Sequence, residues 1–183
     1  MARSKQVRSA VIAPAPPASQ EQLLEARAWQ GVVYRPFGAG TLEDARALFA
    51  YAAVWVSPPS PGQFGWGAWQ AERLVGALVL ETQGGNGMIH GPVVVDHPDP
   101  LEGASQLVAA TLPHATALGV HTLFTRPQGL DRVWIRFGFI PVPEVELPKR
   151  LRGRPGSGLF AWRGGSALWS SRSPRPDELD NSR

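Results

Sequence analysis

The chain has 183 residues, 43% of them apolar, which is enough for one globular domain with length to spare. It contains no cysteine, which excludes a disulfide framework, a thiolate metal site and a cysteine nucleophile, so its chemistry must come from oxygen and nitrogen groups. The formal net charge is +3, the value that Arg3, Lys5 and Arg8 alone would give, while residues 21–163 carry as many acids as bases, and that balance argues against a face that tracks nucleic acid.

Residues 1–27 read as a basic, Pro- and Ala-rich tail, and residues 164–183, rich in Ser, Arg and Pro, as a second one, because neither holds enough large apolar surface to offset the entropy of ordering. The compact unit is then 28–163. Its apolar runs are short and broken by Gly and Pro, so no membrane span is expected. No apolar signal core follows the basic start, and the expected setting is cytoplasmic.

Val32 to Pro36 predicts a strand. Thr41-Leu42-Glu43-Asp44 predicts a capped helix start, followed by Leu42, Ala45, Leu48, Phe49 and Ala52 at helical spacing. Ser57 to Gly67 predicts a long loop. Trp66 to Ala71, Leu74 to Thr82 and Met88 to Val95 then predict three strands, joined by turns at Glu72-Arg73 and Gly84-Gly85-Asn86-Gly87. Gly103 to Gly119 predicts a helix that Pro113 should kink or interrupt. Val120 to Thr125 predicts a strand, Leu130 to Phe137 a short helix, and two last strands fall near Phe139 to Val145 and Leu159 to Arg163. A helix between the meander's last strand and the next one makes that pair parallel. The expected class is therefore α/β (α+β), a single domain with a mixed, mostly antiparallel sheet flanked by helices.

Three stretches carry a family resemblance. One is the strand, loop and helix Val93-Val94-Val95-Asp96-His97-Pro98-Asp99-Pro100-Leu101-Glu102-Gly103-Ala104-Ser105-Gln106-Leu107, one is Arg132-Val133-Trp134-Ile135-Arg136-Phe137-Gly138-Phe139, and one is Tyr34-Arg35-Pro36 with the helix from Leu42. Across roughly 30–163 they resemble the GNAT superfamily of acyl-CoA N-acyltransferases, with this chain a divergent member. The resemblance implies a GNAT-like domain that carries an acyl group from acetyl-CoA, or another acyl-CoA, to an amine-bearing acceptor by direct attack, with no metal. It implies that two adjacent parallel strands splay to admit the pantetheine arm. It places acyl-CoA against Val93, Val94, Val95, Leu101, Glu102, Gly103, Ala104, Ser105 and Gln106, the last six at a helix start whose amide hydrogens suit phosphate oxygens. The chain departs from the family pattern at Pro100, where Arg or Gln is usual, at Ser105, and at Trp134, where a Tyr usually supplies the acid.

A protonated amine cannot attack a thioester, so a base is needed. His90, on the strand before the loop, is the candidate catalytic base, with Glu81 and His121 as fallbacks. Asp96-His97-Pro98-Asp99 reads as a capped loop or a metal site. Trp55, Trp66 and Trp69 read as core or as an acceptor pocket, and Lys149, Arg150, Arg152 and Arg154 as a solvated loop or a phosphate contact. The alternative to an enzyme is a catalytically weakened acyl-CoA-binding or protein-interaction module on the same fold.

Overall fold

A computed structural model describes residues 25–37, 42–53, 63–151 and 168–173. Tight turns generate most of the sheet. Gln30-Gly31 joins β1 (Arg27–Trp29) to β2 (Val32–Pro36), Ala71-Glu72 joins β3 (Gln63–Gln70) to β4 (Arg73–Gln83), and Gly84-Gly85 joins β4 to β5 (Asn86–Val94). Both residues of the first two turns and Gly84 of the third have positive φ, the backbone hand that lets two-residue loops follow strand twist. Between β2 and β3 lies α1 (Leu42–Tyr51). Thr41, its expected cap, lies outside the described residues, as do Trp55 and most of the expected loop, whose last part from Gln63 already belongs to β3.

The helix after β5 begins three residues earlier than expected. α2 spans Pro100–Ala117, with Asp99 as the N-cap accepting from the Glu102 N–H (3.1 Å) and Pro100 at the first helical position, where its missing N–H costs nothing. Pro113 does not interrupt it. Then come β6 (Thr122–Thr125), α3 (Asp131–Arg136), β7 (Ile140–Val142), two 3-10 turns at Glu144–Glu146 and Lys149–Leu151, and β8 (Leu168–Arg172). The final strand is a correction: it lies within the stretch read as a tail, whereas Leu159–Arg163 is outside the described residues. β1 likewise begins inside the expected N-terminal tail.

The sheet order is β1-β2-β3-β4-β5-β6-β8-β7, antiparallel throughout except for the parallel β5–β6 pair. Alternation along β4 sends Leu78 and Leu80 to one face, with Ile89, Leu107, Val108, Leu123, Trp134 and Phe139 under α2 and α3. It sends Ala77 and Val79 to the other, with Ala45, Phe49 and Val93 under α1. Met88, Phe124, Val142, Leu147, Leu151 and Leu168 form a third cluster near the 3-10 turns. Two glycines of β3 are seats for rings: a Cβ at Gly67 would lie 2.2 Å from Trp69, and one at Gly65 2.4 Å from Phe37. Among the described residues, no helix is long and apolar enough to cross a membrane.

The β4–β5 ladder carries a bulge. Ala77 pairs with Val93 and Val79 with His90, so two residues of β5, Gly91 and Pro92, answer one of β4, Leu78. Gly91 sits in this bulge at φ +85°, where a Cβ would lie 2.9 Å from the Val93 nitrogen and 3.0 Å from the Ala77 carbonyl oxygen. Those are backbone atoms that cannot rotate away. Gly91→Ala is therefore expected to lower unfolding free energy in urea by roughly 2 kcal/mol or more, the cost of a left-handed non-glycine residue plus the clash.

Candidate functional site

The parallel pair is short. β5 meets β6 only from Asn86–Thr122 to Ile89–Thr125, and there β6 ends while β5 runs on to Val94. The pairing of the two strands ends at this point, which leaves the last five residues of β5 without β6 beside them. The buried Thr125 hydroxyl donates to the Ile89 carbonyl (3.4 Å) at this end. Val95 donates its N–H to Val75 on the β4 side (2.8 Å), so by alternation the N–H and C=O of Val94 turn toward the open side. That edge offers amide-to-amide pairing to a slender chain bearing amides of its own, and an N–H to a developing oxyanion.

Two charge pairs flank the end of this pairing, the first of them on the α1 face. His90 Nε2 and Glu81 Oε2 are 3.1 Å apart, with side chains only 6% and 13% exposed. A carboxylate only accepts, so Nε2 carries the proton and the lone pair lies on Nδ1. The hairpin register explains the meeting: Glu81 pairs with Met88, so His90 is its diagonal neighbour on the same face. On the β6 side, Arg126 donates to both carboxylate oxygens of Glu144. Met88 and Phe124 are a cross-strand pair in one cluster, and two residues further along β5 His90 lies on the Met88 face. His121, the second fallback base, does not belong here: it precedes β6 and donates its N–H to Gly85, at the closed end of the pair.

The start of α2 lies beyond the free end of β5. Val93 and Val95 pack toward α1, and Val94 toward α2. Leu101 is exposed, and Gly103, Ala104 and Ser105 are buried, with Ala104 in the core. The Ser105 hydroxyl donates to the Leu101 carbonyl (3.0 Å), and Gln106 donates to the Glu102 carboxylate (2.7 Å). Of the first four helical positions, Pro100 has no N–H, that of Glu102 goes to the Asp99 carboxylate, that of Gly103 to the Asp99 carbonyl (2.9 Å), and that of Leu101 is not taken by another group of the chain. Arg136 of α3 pairs with Glu102 (3.2 Å), and Arg73 with Asp96.

Beneath this turn His97 is buried. Its Nδ1 accepts the Asp99 N–H (2.9 Å), which leaves the proton on Nε2, 3.0 Å from the Tyr34 hydroxyl. Its ring lies where a Cβ on Gly103 would be, 3.0 Å away, so the glycine serves packing. Asp96-His97-Pro98-Asp99 is thus a capped loop, and among the described residues no three His, Asp or Glu side chains gather as a metal would need. Burial, and then the charges of Glu102 and Asp99, push the Tyr34 hydroxyl up to about 12. The folded state therefore holds this proton more tightly than the unfolded chain. Its contribution is complete below pH 10 and fades as pH rises from 10 to 12. In Tyr34→Phe, the fall of the urea midpoint across that window should flatten.

Trp134 is fully buried, edge-on to Phe139, and donates its indole N–H to the Pro127 carbonyl (3.2 Å), so it holds α3 in place and offers no acid. Trp66 is core, bonded to His114 (3.3 Å), and Trp69 lies with Phe37 and beneath Arg35. Lys149 and Arg150 are exposed on the second 3-10 turn, while Arg152 and Arg154 lie outside the described residues.

No protein-family model matches the chain, and no curated protein matches it in sequence. Solved structures do. An acetyltransferase from Streptococcus agalactiae 2603 is similar at TM-score 0.60 and 12% identity, over 79% of this chain and 100% of that one. N-acetylglutamate synthase from Neisseria gonorrhoeae, complexed with coenzyme A and N-acetyl-glutamate, is similar at TM-score 0.59 and 19% identity, over 81% of this chain and 36% of the synthase. This chain thus matches about a third of that enzyme's length. A GNAT-family acetyltransferase from Staphylococcus aureus Mu50 is similar at TM-score 0.57 and 8% identity, over 77% and 98% of the two chains.

Proposed function

The chain has the GNAT fold, and from that premise we propose that it is an N-acyltransferase, moving an acyl group from an acyl-CoA thioester, acetyl-CoA first among them, to an amine by direct attack. The observation that carries this reading is the end of the β5–β6 pairing: β5 outlives β6 by five residues and leaves Val94's amide edge open beside the His90–Glu81 pair. The structural neighbours include an enzyme crystallised with coenzyme A and an acylated amino acid, which supports the same donor and an amine acceptor here.

In this mechanism a pantetheine amide donates to the open Val94 carbonyl, between Val93 and Val95, and the arm brings the thioester carbonyl to the end of the β5–β6 pairing. A neutral amine attacks from the α1 face. His90 takes the proton at Nδ1, and the Glu81 carboxylate, already on Nε2–H, holds the imidazole in that tautomer and stabilises the imidazolium. The N–H of Val94 meets the oxyanion. The tetrahedral intermediate collapses, the carbon–sulfur bond breaks, and the thiolate leaves without help from Trp134, taking its proton from water.

A second reading, a binding module without turnover, is favoured by Trp134, which has no hydroxyl where the family's acid stands. One experiment separates the two. With acetyl-CoA and a panel of primary amines, free thiol should accumulate at a rate that scales with enzyme. Binding of acetyl-CoA without thiol release from any amine would select the module.

A further inference from the structure

The two halves of the donor meet different surfaces. The pantetheine arm meets an open amide edge, while the nucleotide end meets a helix start where the N–H of Leu101 alone among the first four positions is not taken by the chain's own groups. Pro100 has none, the Asp99 carboxylate holds the N–H of Glu102, and the Asp99 carbonyl holds that of Gly103. Asp99 is itself fixed by His97, which is fixed in turn by Tyr34. The two arginines at this end are each paired, Arg73 with Asp96 and Arg136 with Glu102, and Glu102 is further held by Gln106. A diphosphate brought here has to displace one carboxylate and lie beside another, and like charges at this range repel. The positive end of the helix has been given to a side chain of the chain's own.

Resting on the acyltransfer reading, we infer that this protein grips its donor by the pantetheine arm and that Asp99 takes the place of the nucleotide's diphosphate. The donor class is then pantetheine thioesters in general, with coenzyme A's nucleotide contributing little. This differs from the expectation that Leu101 to Gln106 cradle phosphate.

Calorimetry with pantetheine and with coenzyme A, both inert without an acyl group, tests it. In the unaltered protein the two dissociation constants should agree within about threefold, since affinity ratios report the free energy the nucleotide adds. Asp99→Asn keeps an N-cap and removes only the charge. Asp99→Gly frees the Glu102 N–H as well, and glycine is itself an accepted N-cap. The preference for coenzyme A should rise in that order, reaching about tenfold or more in Asp99→Gly, the gain expected from one charge-assisted hydrogen bond. A merely structural Asp99 would weaken both ligands alike and leave their ratio unchanged, which contradicts the inference. So does an unaltered protein that binds coenzyme A thirtyfold tighter than pantetheine, and that result leaves the acyltransfer reading standing. Failure of both ligands to bind any of the three proteins removes both.

Discussion

His90→Gln is expected to lower kcat by about a hundredfold or more, the usual contribution of a general base, with little change in the KM for the thioester. Glutamine keeps a donor for the Glu81 carboxylate, so the buried acid is not orphaned and the strand register is preserved. What disappears is the group that accepts a proton. Glu81→Gln keeps the imidazole but frees its tautomer, and a smaller loss is expected there. If His90→Gln retained kcat within threefold while its Tm was unchanged, the base would lie elsewhere. The acceptor-side half of the mechanism would then have to be rebuilt around Arg126 and Glu144.

Trp134→Ala should cost about 3–5 kcal/mol, the range for removing a large buried aromatic, and is the substitution expected to damage the fold most. The indole fills the centre of the core below α3, meets Phe139 edge-on with ring centroids 5.0 Å apart, and satisfies the Pro127 carbonyl. Without it the Pro127 carbonyl keeps only the Leu130 N–H, and α3, only six residues long, loses its anchor. Guanidinium unfolding measures the loss. A change below 1 kcal/mol would mean that the site collapses around the missing ring and that Trp134 is no anchor.

Elements whose cause is local are legible in the sequence, and those made by distant partners are not. The two hairpins of β3, β4 and β5 are legible because turn and alternation lie within a few residues of each other, although the first turn falls at Ala71-Glu72, one residue before the expected Glu72-Arg73. The start of α2 is also local, with Asp99 at the cap and Pro100 at the first helical position, but the small residues Gly103 to Ser105 offer a competing start three residues later. The true cap carries with it the competition between Asp99 and phosphate. β8 is not legible: Leu168-Trp169-Ser170-Ser171-Arg172 holds two large apolar residues, and what makes it a strand is insertion between β6 and β7, whose partners lie tens of residues earlier. β1, exposed along its whole length, is a strand only by pairing with β2. The Glu81–His90 contact is half legible, since a two-residue turn fixes the register that makes the pair diagonal. The Tyr34–His97 bond, 63 positions apart, follows from tertiary packing alone.

Acyl transfer here requires that the end of the β5–β6 pairing be the place where a thioester's arm lies. Amide chemical-shift mapping during titration with pantetheine tests this most directly, because the ligand lacks the nucleotide that could bind elsewhere by charge. The largest shifts should fall on Val93, Val94, Val95 and Thr125, with His90 ring resonances moving beside them. Shifts confined to other strands, or none at millimolar pantetheine, would contradict that placement and the mechanism built on it.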